Sequence, residues 1–203
     1  MRIEDTPEAW DVVASKEHFQ GYVIKVVTDT VRMPQDEVAD RDYVVHPGSV
    51  AVLALDDRDR VLMIRQYRHP TRQLMWELPA GIRDVAGEPL ADTAARELAE
   101  ESGYRADTWH TLVDLRSSPG MTDERIRVFL ARGLSRIPDE ENTFVHRHEE
   151  IGMPVEWVPL SDAVEKALMG MIHNSPAVAG ILAAYAASVE GFALLRPADA
   201  PEA

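Results

Sequence analysis

The sequence predicts an α/β fold in which a mixed β-sheet is sandwiched between helices, preceded by an N-terminal β extension. Three observations lead there. Short β-patterned segments alternate with helical ones, notably an amphipathic stretch over 91–102 and a mostly apolar stretch over 176–190. Turn-forming clusters separate them, at Asp56-Asp57-Arg58-Asp59 and at Pro79-Ala80-Gly81. The 203 residues, 45% of them hydrophobic, suffice to bury the core of one domain.

The elements follow in chain order. Tyr22 to Val27 and Asp42 to Val45 read as strands of the extension, which runs over 1–47. Ser49 to Leu55 and Val61 to Tyr67 read as a hairpin around the Asp56–Asp59 turn. Trp76 to Leu78 is a short strand that stops at the breaker Pro79-Ala80-Gly81. Ala91 to Ser102 is a helix whose inner face is Ala91, Ala94, Ala95 and Leu98, and Gly103 suits the position just past its end. Trp109 to Leu115, Ile126 to Ala131 and Val155 to Val158 are further strands. Ser161 caps a helix reaching Met171, and Pro176 to Glu190 forms the last helix. The main domain thus covers 48–192, and 193–203, rich in Pro, Ala and acidic residues, is expected to be a disordered tail.

Composition excludes several classes. There is no apolar run of membrane-spanning length, and the acidic Met1–Trp10 lacks the apolar core of a secretory signal. The absence of cysteine rules out disulfides, thiolate metal sites and cysteine nucleophiles, and fits a cytoplasmic protein. A net charge of -14 argues against a nucleic-acid-binding surface. It also means that an anionic substrate needs metal ions or local arginines to reverse the sign at its site.

Residues 88–104 carry the chemistry. Glu88 is followed by Arg96-Glu97, then Glu100-Glu101, then Gly103. On a helix Glu97, Glu100 and Glu101 stand at i, i+3 and i+4, so three carboxylates leave from one face. Like charges so crowded destabilise the helix unless a cation sits among them, and hard oxygen ligands favour Mg²⁺, with Mn²⁺ as the alternative.

This stretch resembles the Nudix box, in which a glycine, five residues, a glutamate and seven residues precede Arg-Glu-apolar-any-Glu-Glu-any-Gly-apolar. Every fixed position from Glu88 to Tyr104 matches. The leading glycine departs by one residue, because Gly81 lies seven before Glu88; the extra residue falls between Ile82 and Gly87, where a loop accommodates an insertion. Trp76-Glu77-Leu78-Pro79-Ala80-Gly81, Ile64-Arg65-Gln66-Tyr67-Arg68-His69-Pro70 and Ser117-Ser118-Pro119-Gly120 extend the likeness to the ADP-ribose pyrophosphatase branch.

The resemblance implies a Nudix fold and a Mg²⁺-dependent hydrolysis of the diphosphate of ADP-ribose to AMP and ribose 5-phosphate. It implies Glu97, Glu100 and Glu101 as metal ligands, completed by the backbone carbonyl of Ala80, with Arg96 as the counter-charge that orients them. Glu149 and Glu150 are candidates for the general base. His146 and His148 read as surface histidines. Arg68 is expected to contact the diphosphate, Arg41 to reach the partner subunit's site and Glu124 to lie near the terminal ribose. Phe19 and Tyr22 are candidates for stacking on adenine. The resemblance further implies a homodimer formed through the N-terminal strands; charge and hydropathy argue against a nucleic-acid or membrane partner. Alternatives are hydrolysis of another nucleoside diphosphate sugar or dinucleotide, and a non-catalytic ADP-ribose sensor.

Overall fold

The structure is a computed structural model and describes residues 3–138, 140–142, 144 and 152–202. The chain forms two compact units, one of Met1–Pro47 with Ser118–Glu124, the other of Gly48–Ser117 with Arg125–Ala203.

The smaller unit is an antiparallel meander of β1 (Val12–Gln20), β2 (Lys25–Arg32) and β3 (Val38–Val45). The sequence reading placed a strand at Tyr22–Val27 and none before it. Here β1 precedes Gly21, and Gly21-Tyr22-Val23-Ile24 is the turn, closed by a Gly21 N–H bond to the Ile24 carbonyl of 2.8 Å. The mixed polar composition of β1 hides it from a periodicity argument, since the strand is exposed along its whole length. Val27 is the buried residue of this unit among those described.

The larger unit holds a five-stranded mixed sheet and a three-stranded antiparallel one. β4 (Ser49–Ala54), β7 (Ala80–Ile82), β8 (Tyr104–Arg116), β9 (Arg125–Arg136) and β11 (Arg196–Pro197) form the first, in the order β11-β8-β9-β4-β7, with β4 and β9 parallel. β5 (Arg60–Arg68), β6 (Gln73–Glu77) and β10 (Val155–Pro159) form the second, in the order β10-β5-β6. Three helices complete it: α1 (Leu90–Ser102), α2 (Leu160–Leu168) and α3 (Ser175–Val189).

Alternate residues of β4 explain the layering. Val50, Val52 and Ala54 join Leu62, Ile64 and Phe129 under Ala94 and Leu98 of α1. Ala51 and Leu53 join Met63, Val128 and Leu130 under Leu160 and Ala163 of α2 and Ile181 of α3. A strand buried on both faces reads as a continuous apolar run, as Val50–Leu55 does. The sheets therefore lie between α1 on one side and α2 with α3 on the other, as the sequence predicts.

Three expectations change. Ser49–Leu55 and Val61–Tyr67 are not a hairpin: β4 and β5 enter different sheets and share a single bridge, Leu55 to Val61. Val50–Leu55 and Val61–Ile64 are buried on both faces, each finds its ladder elsewhere, and the turn carries the chain from one sheet to the other. Asp56 holds that turn by accepting from the Arg58 and Arg60 N–H groups at 2.9 and 2.8 Å. Ser161 is not the cap of α2, which starts after Pro159; proline restrains the preceding turn instead. The composition of 193–203 predicts a disordered tail, yet Arg196–Pro197 pairs with β8, and the Ala200 and Pro201 carbonyls accept from buried Arg127. Composition predicts disorder only where no partner waits, and Arg127 is such a partner. No helix is long and apolar enough to cross a membrane among the described residues.

Candidate active site

The site is built on α1 and on the turn that leads into β7. Ala94 and Leu98 anchor α1 in the core, which turns Glu97 and Glu101 toward the Pro79–Gly81 segment, while Glu100 lies near Arg96. Gly103 ends the helix with φ 71°, its N–H donating to the Ala99 carbonyl at 3.0 Å. Glu88 lies ahead of the first turn, where it accepts from Thr93 Oγ1 at 2.8 Å.

Glu101 is buried, and its Oε2 accepts the Ala80 N–H at 2.7 Å. Pro79-Ala80-Gly81, read as a breaker, is also an entry to a strand: Ala80–Ile82 pairs antiparallel with Ser49–Ala51. Gly81 lies beneath Glu97, and a β-carbon there would sit 2.1 Å from Glu97 Cδ and 2.2 Å from its Oε1. The glycine is thus required by space, since only a bare backbone leaves room for the Glu97 carboxylate.

Arg96 is the hub of the acidic cluster. Its Nη1 is 2.7 Å from Glu97 Oε1 and 3.6 Å from Glu100 Oε2. Its Nη2 is 3.3 Å from Glu88 Oε2 and 3.5 Å from Asp84 Oδ1. Burial works against the guanidinium's charge, but the hydrogen bond to Glu88 and the charges of Glu97, Glu88 and Glu100 outweigh it and raise its pKa. Glu88 is held below the usual carboxylate range by its hydrogen bonds to Arg96 and Thr93. Glu97 goes the other way. Burial lifts it to about 7, with Glu100 adding to the rise and Arg96 opposing it. A carboxylate so placed favours a nearby cation.

Among the described residues no three side chains of the His, Cys, Asp or Glu type stand close enough to hold a metal ion; Glu97 rests on Arg96 and Glu101 on the Ala80 amide. The donor chemistry nonetheless fits a hard divalent cation. The candidate ligands are carboxylate oxygens on one helix face, and the missing β-carbon of Gly81 keeps backbone and Glu97 in close approach.

Arg68, at the end of β5, is gripped by a residue the sequence reading did not single out. Glu77 is almost fully buried, and its two oxygens accept from Arg68 Nε at 2.9 Å and Nη2 at 2.7 Å. This two-pronged pair fixes the plane of the guanidinium. The available signal was a glutamate inside the otherwise apolar run Leu74–Leu78, because a carboxylate enters such a strand only with a partner.

The remaining candidates belong to the smaller unit or lie beyond description. Arg41 is on β3, donating from Nη1 to the Asp40 carbonyl at 2.9 Å. Glu124 Oε1 is 3.6 Å from His46 Nδ1. Phe19 and Tyr22 are exposed. Glu149, Glu150, His146 and His148 lie outside the described residues.

The chain is similar to known proteins along most of its length. A family model described as "NUDIX domain" matches residues 45–178. An ADP-ribose pyrophosphatase of Mycobacterium tuberculosis is 44% identical over 190 residues, which is 94% of this chain and 89% of that protein. An ADP-ribose pyrophosphatase of Bacillus subtilis is 36% identical over 153 residues, covering 75% of this chain and 80% of the other. A solved structure titled "Crystal structure of ADP compounds hydrolase" superposes with a TM-score of 0.74 at 17% identity, over 94% of this chain and 99% of that one, a likeness of fold.

Proposed function

The chain belongs to the Nudix family and is a Nudix hydrolase, and from that premise we propose that it hydrolyses ADP-ribose to AMP and ribose 5-phosphate with Mg²⁺. One observation supports the reading: the Ala80 N–H is bonded to Glu101 and Gly81 lies against Glu97, so the turn before the box and two of the box carboxylates meet. The relatives of 44% and 36% identity, both named ADP-ribose pyrophosphatases, support the substrate.

In this reading Glu97, Glu100, Glu101 and the Ala80 carbonyl hold the cation, with Mn²⁺ as a substitute. When bound, the cation supplies positive charge to the phosphoryl oxygens and acidifies the attacking water. Arg96 keeps Glu97 and Glu100 aimed by sharing one guanidinium between them. Arg68, its guanidinium plane fixed by Glu77, binds the diphosphate. Glu149 or Glu150 accepts the proton of the attacking water. Arg41 reaches the partner subunit's site, and Glu124 contacts the terminal ribose. Water adds to one phosphorus, the bridging P–O bond breaks, and each product keeps one phosphate.

The catalytic unit in this proposal is a cytoplasmic homodimer built through the N-terminal strands. Support comes from surface that needs a cover: Val12, Val13, Phe19, Tyr22 and Val38 are all exposed on a sheet with one buried residue among those described. The deciding experiment measures products from ADP-ribose, ADP-glucose, GDP-mannose, NADH and a diadenosine polyphosphate, with Mg²⁺ and with chelator. AMP and ribose 5-phosphate at far higher kcat/KM from ADP-ribose, abolished by chelator, is the expected result. Faster turnover of another compound would replace the substrate while keeping the hydrolase. An ordered protein that binds ADP-ribose without turnover would move the weight to a sensor.

A further inference from the structure

The segment Arg196–Glu202 is strapped across the sheet by backbone pairing and side-chain contacts. Arg196 and Pro197 pair with Thr111 and His110 of β8, and the buried Thr111 donates its hydroxyl to the Pro197 carbonyl at 3.0 Å. Arg127, buried on β9, donates to the Ala200 and Pro201 carbonyls at 2.6 and 3.0 Å while Asp114 grips its other edge at 2.7 and 3.0 Å. The strap then reaches Glu202, whose two oxygens each lie 3.1 Å from Arg83 Nη1.

Arg83 is the residue immediately after β7. Its own N–H donates to the Gly48 carbonyl at 3.0 Å, and Gly48, at φ 90°, packs against the Arg83 side chain, where an added β-carbon would lie 3.1 Å from Cδ. β7 has only three residues, and its first two are Ala80, bonded to Glu101, and Gly81, beneath Glu97. Asp84, the next residue along, faces Arg96. The near end of β7 is tied by the Val52 N–H, which donates to the Pro79 carbonyl at 2.8 Å, and the far end by the Arg83 backbone, so the Arg83 side chain and its Glu202 partner extend the hold on this three-residue strand past its last ladder bond.

We propose that Glu202 and Arg83 are positioning residues for the hydrolytic site: the C-terminal strap, acting through this pair, fixes the Ala80–Gly81 backbone against the carboxylates of α1. The inference rests on reading α1 as the helix that carries hydrolysis. Glu202 and Arg83 act through the Ala80–Gly81 backbone, and neither residue touches the reacting atoms.

The test uses the full chain as Glu202→Gln and as the charge-swapped pair Arg83→Glu with Glu202→Arg. Exchange of the Ala80 amide hydrogen, followed by NMR, reports the backbone directly and needs no substrate. Expected in Glu202→Gln are faster Ala80 exchange and a kcat lowered about tenfold with KM kept within about twofold, because a sub-ångström misplacement acts on chemistry more than on binding. The swapped pair restores both. Thermal stability moves little, since the Arg83–Glu202 pair is partly exposed and Arg127 still holds the strap. Unchanged Ala80 exchange in Glu202→Gln overturns the proposal whatever the turnover does, and so does a swapped pair that restores neither readout. Failure of the substrate assignment appears separately, as a wild-type protein that does not cleave ADP-ribose.

Discussion

Replacing Gly81 by alanine separates catalysis from folding. The new methyl group would begin 2.1 Å from Glu97 Cδ, 2.2 Å from Oε1 and 2.6 Å from Cγ. Ordinary contact starts near 3.4 Å, so the carboxylate must retreat by about 1.3 Å. What yields is the far end of a flexible side chain rather than backbone, so the fold survives. The loss is the 2.7 Å contact of Glu97 with Arg96, worth about 1 kcal/mol at a partly exposed pair. A displacement of that size in a group that holds the reaction centre costs about 10²-fold in kcat. Turnover should be followed by AMP release at saturating Mg²⁺ and substrate, and stability by thermal unfolding of the same preparation. An alanine variant that unfolds normally and turns over at wild-type rate would refute the reasoning, because Glu97 would then not need its observed place. Collapse of the fold would refute it differently, by showing that the backbone gives way instead.

Further expectations follow from the same contacts. Glu101→Gln keeps an oxygen for the Ala80 N–H but removes a charge, so kcat should fall by about two orders of magnitude with the unfolding temperature nearly unchanged; wild-type turnover would reject its role as a ligand. In chelator, Glu97 has a folded-state pKa of about 7 against an ordinary 4.5. A raised carboxylate pKa means that the folded state holds the proton more tightly, so this contribution to stability is complete below 4.5 and lost as pH rises through about 7. Urea unfolding across that window should show stability declining in the wild type and a flatter profile in Glu97→Gln, and identical profiles would contradict the assignment. Asp114→Asn removes the carboxylate that faces buried Arg127 and should destabilise by about 3 kcal/mol in denaturant unfolding; a change within error would mean that the tail carbonyls alone satisfy the guanidinium.

Much of the site was legible because it is helical. Glu97, Glu100, Glu101 and Arg96 lie within one and a half turns, and helix geometry alone fixes which of them share a face. Positions 94 and 98 likewise had to be the buried side once the helix was recognised. The strands were legible as apolar runs, though not their partners: the Asp56–Asp59 turn between Ser49–Ala54 and Arg60–Arg68 has the composition of a hairpin turn, yet the two strands pair in different sheets. Glu77 was passed over because its partner Arg68 stands on the neighbouring strand, nine positions away, and strand register is not written in either segment alone.

By itself, then, the sequence determined the class of fold, the helix that carries the carboxylates and the family chemistry those residues imply. These are relations between residues a few positions apart, set by backbone periods of 3.6 and 2 that hold wherever the segment lies. Only the tertiary structure decided what closes on them. The Ala80 amide meets Glu101 across 21 positions, and the Ala200 carbonyl meets Arg127 across 73. Contacts at such separations depend on which apolar faces are buried together, a choice made by the whole core at once.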